Sequence, residues 1–305
     1  MAWKVVEDKD GSSKIIISEP GGSTAEVLLH GGQVVSWKND RHEELLFMNT
    51  KSMIKHPKTL LRGGILICFP QFGDFGPLEF HGFARNKLWV LDPDPSPLPP
   101  PRTNSSIDIL LKSTDEDFKI WPHSFELRLR ITLGPGKLVL IPRVRNVENK
   151  VFSFTFGIRN FLSVSDVSEI RVEGLETLDF LDILKKKERY TEQADAITFD
   201  GEVDRVYLST PSKIAIIDHE KKRTLVLRKE GLPDSVVWNP WDKKVKVIPD
   251  LLDKEYKSIL CVDSTAIESP ITLKPLEEWK GHEELSGVSS SYCSGQLDPR
   301  QVLYG

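Results

Sequence analysis

Two arginines, a histidine and several glycines fall within one stretch, Leu61 to Asn86, LRGGILICFPQFGDFGPLEFHGFARN, around an apolar run of strand character. A guanidinium group presents its N–H donors as a planar fork that matches phosphate or carboxylate oxygens two at a time. Arg62 and Arg85 could therefore grip one anionic group between them. Taken singly, each is more simply a surface arginine. Gly63, Gly64 and Gly82 tip the balance slightly toward a site, since backbone without a Cβ can approach a ligand closely. The histidines outside this stretch, His30, His42, His56, His123, His219 and His282, form no metal-ligand spacing. His123, in WPH just before a strand pattern, is expected to cap or pack there.

The elements that must position these residues are strands. In FELRLRITL, Phe125, Leu127, Leu129, Ile131 and Leu133 share one face while charged and polar residues take the other, a period-two pattern. Gly134 to Gly136 supplies a turn and KLVLIPRVRN resumes, so Phe125 to Asn146 reads as a β-hairpin. Similar short runs recur at Lys14–Ser18, Ala25–Leu29, Leu88–Leu91, Ile107–Leu111, Val151–Phe156, Lys213–Ile217, Thr224–Leu227, Ser258–Val262 and Ile271–Leu273. Many short strands with turns between them predict an all-β fold, a large antiparallel β-sandwich. Leu276 to His282 could make at most a helical turn or two. Six prolines in Asp92 to Arg102 cannot donate to a ladder and predict a surface loop, with a ligand for a polyproline-binding partner as the lesser alternative. The KKKER run from Lys185 to Arg189 reads as a solvated loop. One sandwich domain is expected over residues 1–284, followed by a Ser- and Gly-rich tail over 285–305.

Composition excludes several classes. The 305 residues are 39% apolar and 28% charged, with 41 basic against 45 acidic side chains and a net charge of −4. That surface does not suit a general nucleic-acid binder, which needs basic charge to displace counterions. Cys68, Cys261 and Cys293 are odd in number and far apart, suggesting neither a disulfide framework nor a metal site. Charged residues among the first ten leave no apolar signal stretch, and no apolar run approaches the roughly 20 residues that span a bilayer. A cytoplasmic, monomeric protein without membrane contact is expected.

The motifs RGG, CFPQFG and HGFARN, in this order and spacing, resemble those of the hexose-6-phosphate mutarotases within the aldose 1-epimerase superfamily, including plant proteins described as apospory-associated. The resemblance continues through WPHSFELRLRITL, VSDVSEIRVEGLETLDFLD, VDRVYL, VVWNPWDKK, ITLKPLEEWKGHEELS and SYCSGQLDP, and so covers essentially the whole chain. It implies the galactose mutarotase-like sandwich and interconversion of the α and β anomers of a hexose 6-phosphate, with no metal and no organic cofactor. A carboxylate would remove the anomeric proton while a histidine protonates the ring oxygen, paired work that needs pKa values within reach of neutrality.

Carried over position by position, the resemblance makes Arg62 and Arg85 the phosphate clamp, His81 a sugar contact and Asp204 a hydroxyl ligand. Three positions depart from the family pattern. Phe80 stands where an amide is usual, Arg159 where the general acid histidine is usual, and Asp263 where the glutamate base is usual. Arginine has no proton to give at neutral pH, and a carboxylate set back by one methylene is misplaced by more than an ångström. Efficient catalysis is therefore not expected. Two arrangements remain open: His81 acting as the acid, or Arg159 pairing with Asp263 and silencing the site, the second being favoured. A weakened epimerase, a non-catalytic sugar-phosphate binder and an interaction scaffold are the competing functions.

Overall fold

The computed structural model describes residues 3–7, 13–49, 62–95, 105–248 and 251–289. The strands are β1 (Trp3–Glu7), β2 (Ser13–Ser18), β3 (Thr24–Leu28), β4 (Gln33–Lys38), β5 (Ile65–Cys68), β6 (Val90–Leu91), β7 (Ser105–Lys112), β8 (Phe125–Gly134), β9 (Lys137–Asn146) and β10 (Phe152–Ser163). They continue as β11 (Ile170–Glu173), β12 (Asp179–Asp182), β13 (Glu188–Thr191), β14 (Val203–Tyr207), β15 (Lys213–Asp218), β16 (Arg223–Glu230), β17 (Asp234–Asn239), β18 (Ile259–Leu273), β19 (Glu278–Lys280) and β20 (His282–Ser289). Among the described residues two short α-helices interrupt them, α1 (Asp115–Ile120) and α2 (Trp241–Val245). One sheet runs β1-β2-β3-β4-β5-β10-β18-β17-β14-β12-β13, and the other runs β11-β15-β16-β20-β9-β8-β7-β6 with β19 beside β9. The expected antiparallel β-sandwich is what the chain forms.

The β8–β9 hairpin pairs Phe125 with Asn146 through to Gly134 with Lys137, as its alternation predicts. Leu127, Leu129, Ile131, Leu138 and Leu140 are all fully buried between the sheets. The two runs expected at Ser258–Val262 and Ile271–Leu273 belong to the single long strand β18. Leu276 to His282 forms no helix; it holds β19, which pairs with β9 through Trp279 and Val144. The KKKER run is largely solvated, as expected, and forms a tight reversal leading into β13: Lys186 and Lys187 take left-handed φ values of 56° and 63°, and Glu188 already pairs with Asp182. The domain boundary also moves. Residues 285–289 continue β20, with Leu285 1% exposed opposite Leu227, so the tail expected from 285 starts no earlier than 290. Residues 290–305, with Cys293, and most of the Pro-rich segment lie outside the described residues. His123 packs edge-on against Trp121 and bonds Glu148 at 2.7 Å, as expected of it.

Alternation on the central strands assigns each side chain to one of two apolar clusters. Phe156, Ile158 and Leu162 of β10 and Leu260 and Val262 of β18 face the core between the sheets. Phe161, Cys261, Val236, Trp238 and Val206 face the opposite side of the larger sheet and form a second cluster. Because side chains of one strand alternate in direction, Arg159, Asp263 and Asp204 share the second side. Among the described residues no helix is long and apolar enough to cross a membrane.

Candidate functional site

On that second side lies a cavity of about 600 Å³. Arg62, His81, Arg85, Arg159 and Asp204 all line it, together with Phe80. The sixth expected residue, Asp263, does not reach the cavity and is fully buried behind Arg159.

Arg62 enters just before β5, where Gly64 takes a φ of 63° and a Cβ would stand 2.0 Å from the Val34 carbonyl oxygen. Only glycine permits that turn into the strand. Arg85 belongs to a short 3-10 turn, Ala84–Asn86, reached through Gly82. Gly82 has a φ of 67°, and a Cβ there would lie 2.3 Å from the Phe69 carbonyl oxygen. The loop between β5 and this turn is cross-braced by Gln71, whose amide donates to Gly73 and Leu78 and accepts from Leu78 N–H. Arg85 Nη2 donates to the Phe80 carbonyl at 2.7 Å, while its buried Nε has no partner among the described residues.

His81 Nδ1 accepts the Gly73 backbone N–H at 2.9 Å. Burial, with Arg159, Arg85 and Arg62 around it, lowers its pKa to about 2. The ring is therefore neutral with its proton on Nε2, a hydrogen-bond donor and not an acid. A neutral ring tells against the arrangement in which His81 replaces the missing acid.

Arg159 Nη1 donates to Asp263 Oδ2 at 3.1 Å, the pairing favoured from the sequence. The guanidinium also lies over Trp238 and Phe161, 4.9 and 5.2 Å from their ring centres, so two aromatic contacts add to the ion pair. Asp263 Oδ1 accepts the Asn160 N–H at 2.9 Å. Burial pushes this carboxyl up to about 7, with Arg159 and the Asn160 bond holding it back. Asp204, on β14, is raised by burial to about 6, with Arg159 opposing, and remains open to the cavity. Lys244 of α2 adds a further cation. Asp74, also on the wall, is matched by Lys187 at 2.9 Å. The cavity thus carries Arg62, Arg85, Arg159 and Lys244 against Asp204, whose carboxyl is held toward neutrality, while Asp263, also raised, lies behind Arg159.

Sequence reasoning missed Lys244, Phe72, Phe161 and Trp238 as walls. Their alternation was readable, but which face would turn to a cavity was not. It also missed Glu283, which accepts from Asn160 Nδ2 at 3.0 Å in the inter-sheet core. Cys68 and Cys261 are free, buried thiols. No group of three His, Cys, Asp or Glu among the described residues could hold a metal ion.

This arrangement of arginines, a neutral histidine and carboxyls on one face of a large antiparallel sandwich can be set beside known proteins. A protein of Cenchrus ciliaris called "Putative glucose-6-phosphate 1-epimerase" is 58% identical over 306 residues, covering 99% of this chain and 93% of that protein. The crystal structure of a Salmonella typhimurium protein described as a mutarotase superposes with a TM-score of 0.80 at 24% identity, covering 94% of this chain and 97% of that one. Galactose 1-epimerase of Lactobacillus acidophilus superposes with a TM-score of 0.69 at 13% identity over 95% and 98% of the two chains, a likeness of fold alone. Residues 13–286 match the family described as aldose 1-epimerase, and the chain belongs to that family.

Proposed function

We propose that the cavity binds a hexose 6-phosphate and that the family's anomer interconversion is impaired in this chain. Arg62 and Arg85 hold the phosphate, and the surplus of cations on the wall suits a dianion. His81 donates through Nε2 to a ring hydroxyl, and Asp204 accepts from another. The observation that carries the impairment is the seal over Asp263: the carboxyl is fully buried, bonded to Arg159 and Asn160, and screened from the ligand.

Catalysis would need a base at the anomeric hydroxyl and an acid at the ring oxygen. Asp263 cannot reach the first without displacing Arg159. Arg159 has no proton to give to the second, although it can stabilise negative charge there. Loss of a positioned acid alone forfeits roughly 10² to 10⁴ in rate. Membership of the epimerase family supports the substrate class, and the Arg159–Asp263 pair supports binding without efficient turnover.

The test pairs calorimetric binding of glucose 6-phosphate with its anomerisation rate by NMR exchange. We expect binding, with a rate within about tenfold of the spontaneous one. The double variant Arg159→His/Asp263→Glu should gain on the order of 10² or more. A fast native rate that Asp263→Ala abolishes would show the seal to be no barrier, and absence of binding would remove the reading altogether.

A further inference from the structure

The cavity wall mixes charged and apolar side chains: beside Arg62, Arg85, Arg159 and Asp204 it carries Phe75, Phe80, Ile183 and Ile248. Phe80 is 57% exposed, and a large apolar side chain left in water beside a cavity is informative in a way that a scattered surface leucine is not. Its position is fixed. Its carbonyl accepts from Arg85 Nη2, and its ring lies 4.2 Å from the His81 ring centre, tilted by 59°. On either side, His81 N–H donates to the Gly73 carbonyl at 3.0 Å and Gly82 N–H to the Glu79 carbonyl at 2.7 Å. An apolar ring face is thus held at a set place next to a guanidinium of the clamp.

Two further observations bear on what lies against that face. A cavity of about 600 Å³ falls within the range that encloses drug-sized ligands, and a single pyranose with its phosphate leaves part of it empty. Asp263, the one group whose chemistry demands a free anomeric hydroxyl, is sealed beneath Arg159. The remaining polar groups, His81 and Asp204, need only ring hydroxyls.

We infer that the ligand is a 6-phosphorylated glycoside, its phosphate on Arg62 and Arg85 and an apolar or aromatic aglycone lying on Phe80 toward Phe75 and Ile248. This rests on the sugar-phosphate reading of the site and narrows it. The anomeric oxygen then carries the aglycone in place of a proton, and the molecule bound is one that the family's reaction could not act on.

Calorimetry with the full chain tests it, using phenyl glucoside 6-phosphate and methyl glucoside 6-phosphate, each as both anomers, beside glucose 6-phosphate. Burial of one ring face predicts about tenfold tighter binding of one phenyl anomer over its methyl counterpart. In Phe80→Gln that ratio should fall to about one. The ratio compares two ligands on one sample, so a partly unfolded variant does not move it. Equal affinity of phenyl and methyl glycosides for the native chain overturns the inference while glucose 6-phosphate binding keeps the underlying reading intact. So does failure of both glycosides where glucose 6-phosphate binds. Failure of all three ligands overturns the reading of the site and this inference with it.

Discussion

Arg159 is held by three contacts that a histidine could not reproduce together: the carboxylate of Asp263 and the ring faces of Trp238 and Phe161. Its place on the cavity floor is therefore structural as well as chemical. Removing one member of a buried ion pair leaves the other charge uncompensated, a loss of about 3–5 kcal/mol. Arg159→Met should cost that much in chemical denaturation, and Arg159→Met/Asp263→Asn should recover a large part of it. A double variant no more stable than the single one would mean that the aromatic contacts, and not the pair, carry the stabilisation. At this scale the sequence was unusually legible. The glycines, Arg62, Arg85 and His81 lie in a single contiguous stretch, and the pairing of Arg159 with Asp263 was expected from their types and places in the chain. What it did not reveal was the depth of Asp263, because exposure depends on what stacks above a strand and not on the strand's own residues. Nor did it reveal the neutral state of His81, which depends first on its burial and then on three guanidinium groups brought together around it.

Strand β10 carries the site and the core on opposite faces of one backbone. Arg159 looks to the cavity, and Asn160 beside it looks to the inter-sheet core, bonding Val262 and Glu283. At the cavity end of the same face Gly157 lies against Phe72, where an added Cβ would stand 2.2 Å from the ring. Phe72 in turn packs edge-on against His81 with ring centres 4.7 Å apart. Gly157→Ala should therefore push Phe72 into the cavity. We expect a stability loss of about 1–3 kcal/mol and at least tenfold weaker glucose 6-phosphate binding by calorimetry; unchanged affinity would mean that Phe72 does not shape the wall. The hairpin β8–β9 was plain in the sequence because its alternation is strict and its turn carries glycine on both sides of proline. Strand β20 was not, since Gly281, His282, Glu283 and Glu284 carry no apolar alternation and Leu285 was its sole clear core residue. A buried glutamate inside a sandwich breaks the binary pattern from which strands are read.

Three carboxyls are raised strongly by burial, Asp204 and Asp263 on the cavity side of the larger sheet and Glu283 between the sheets. Burial raises Glu283 from an ordinary 4.5 to about 8. A carboxyl whose folded value exceeds its unfolded one contributes stability that is whole below the unfolded pKa and is lost as pH rises through the folded one. For Glu283 that window runs from about 4.5 to about 8, and Asp263 and Asp204 act in the same direction up to about 7 and 6. Lys229, lowered by burial to about 8, acts oppositely above that value, and His81 loses its contribution only as pH falls below its ordinary 6.5. Glu283→Gln should therefore melt several degrees higher than the native chain at pH 9 and no higher at pH 5. Parallel melting curves across that range would contradict a buried, proton-binding Glu283. Sheet order has a consequence for how the protein comes into being. Strand β18 lies between β10 and β17 at the middle of its sheet, yet every other strand of that sheet precedes it in the chain. Until it arrives, Arg159 has no carboxylate, Asn160 has no backbone partner in Val262 and the cavity has no floor. The nascent chain must hold more than two hundred residues of unfinished sheet with its central slot empty, a long-range pairing of the slow kind. The cavity is complete only once β18 has joined the sheet.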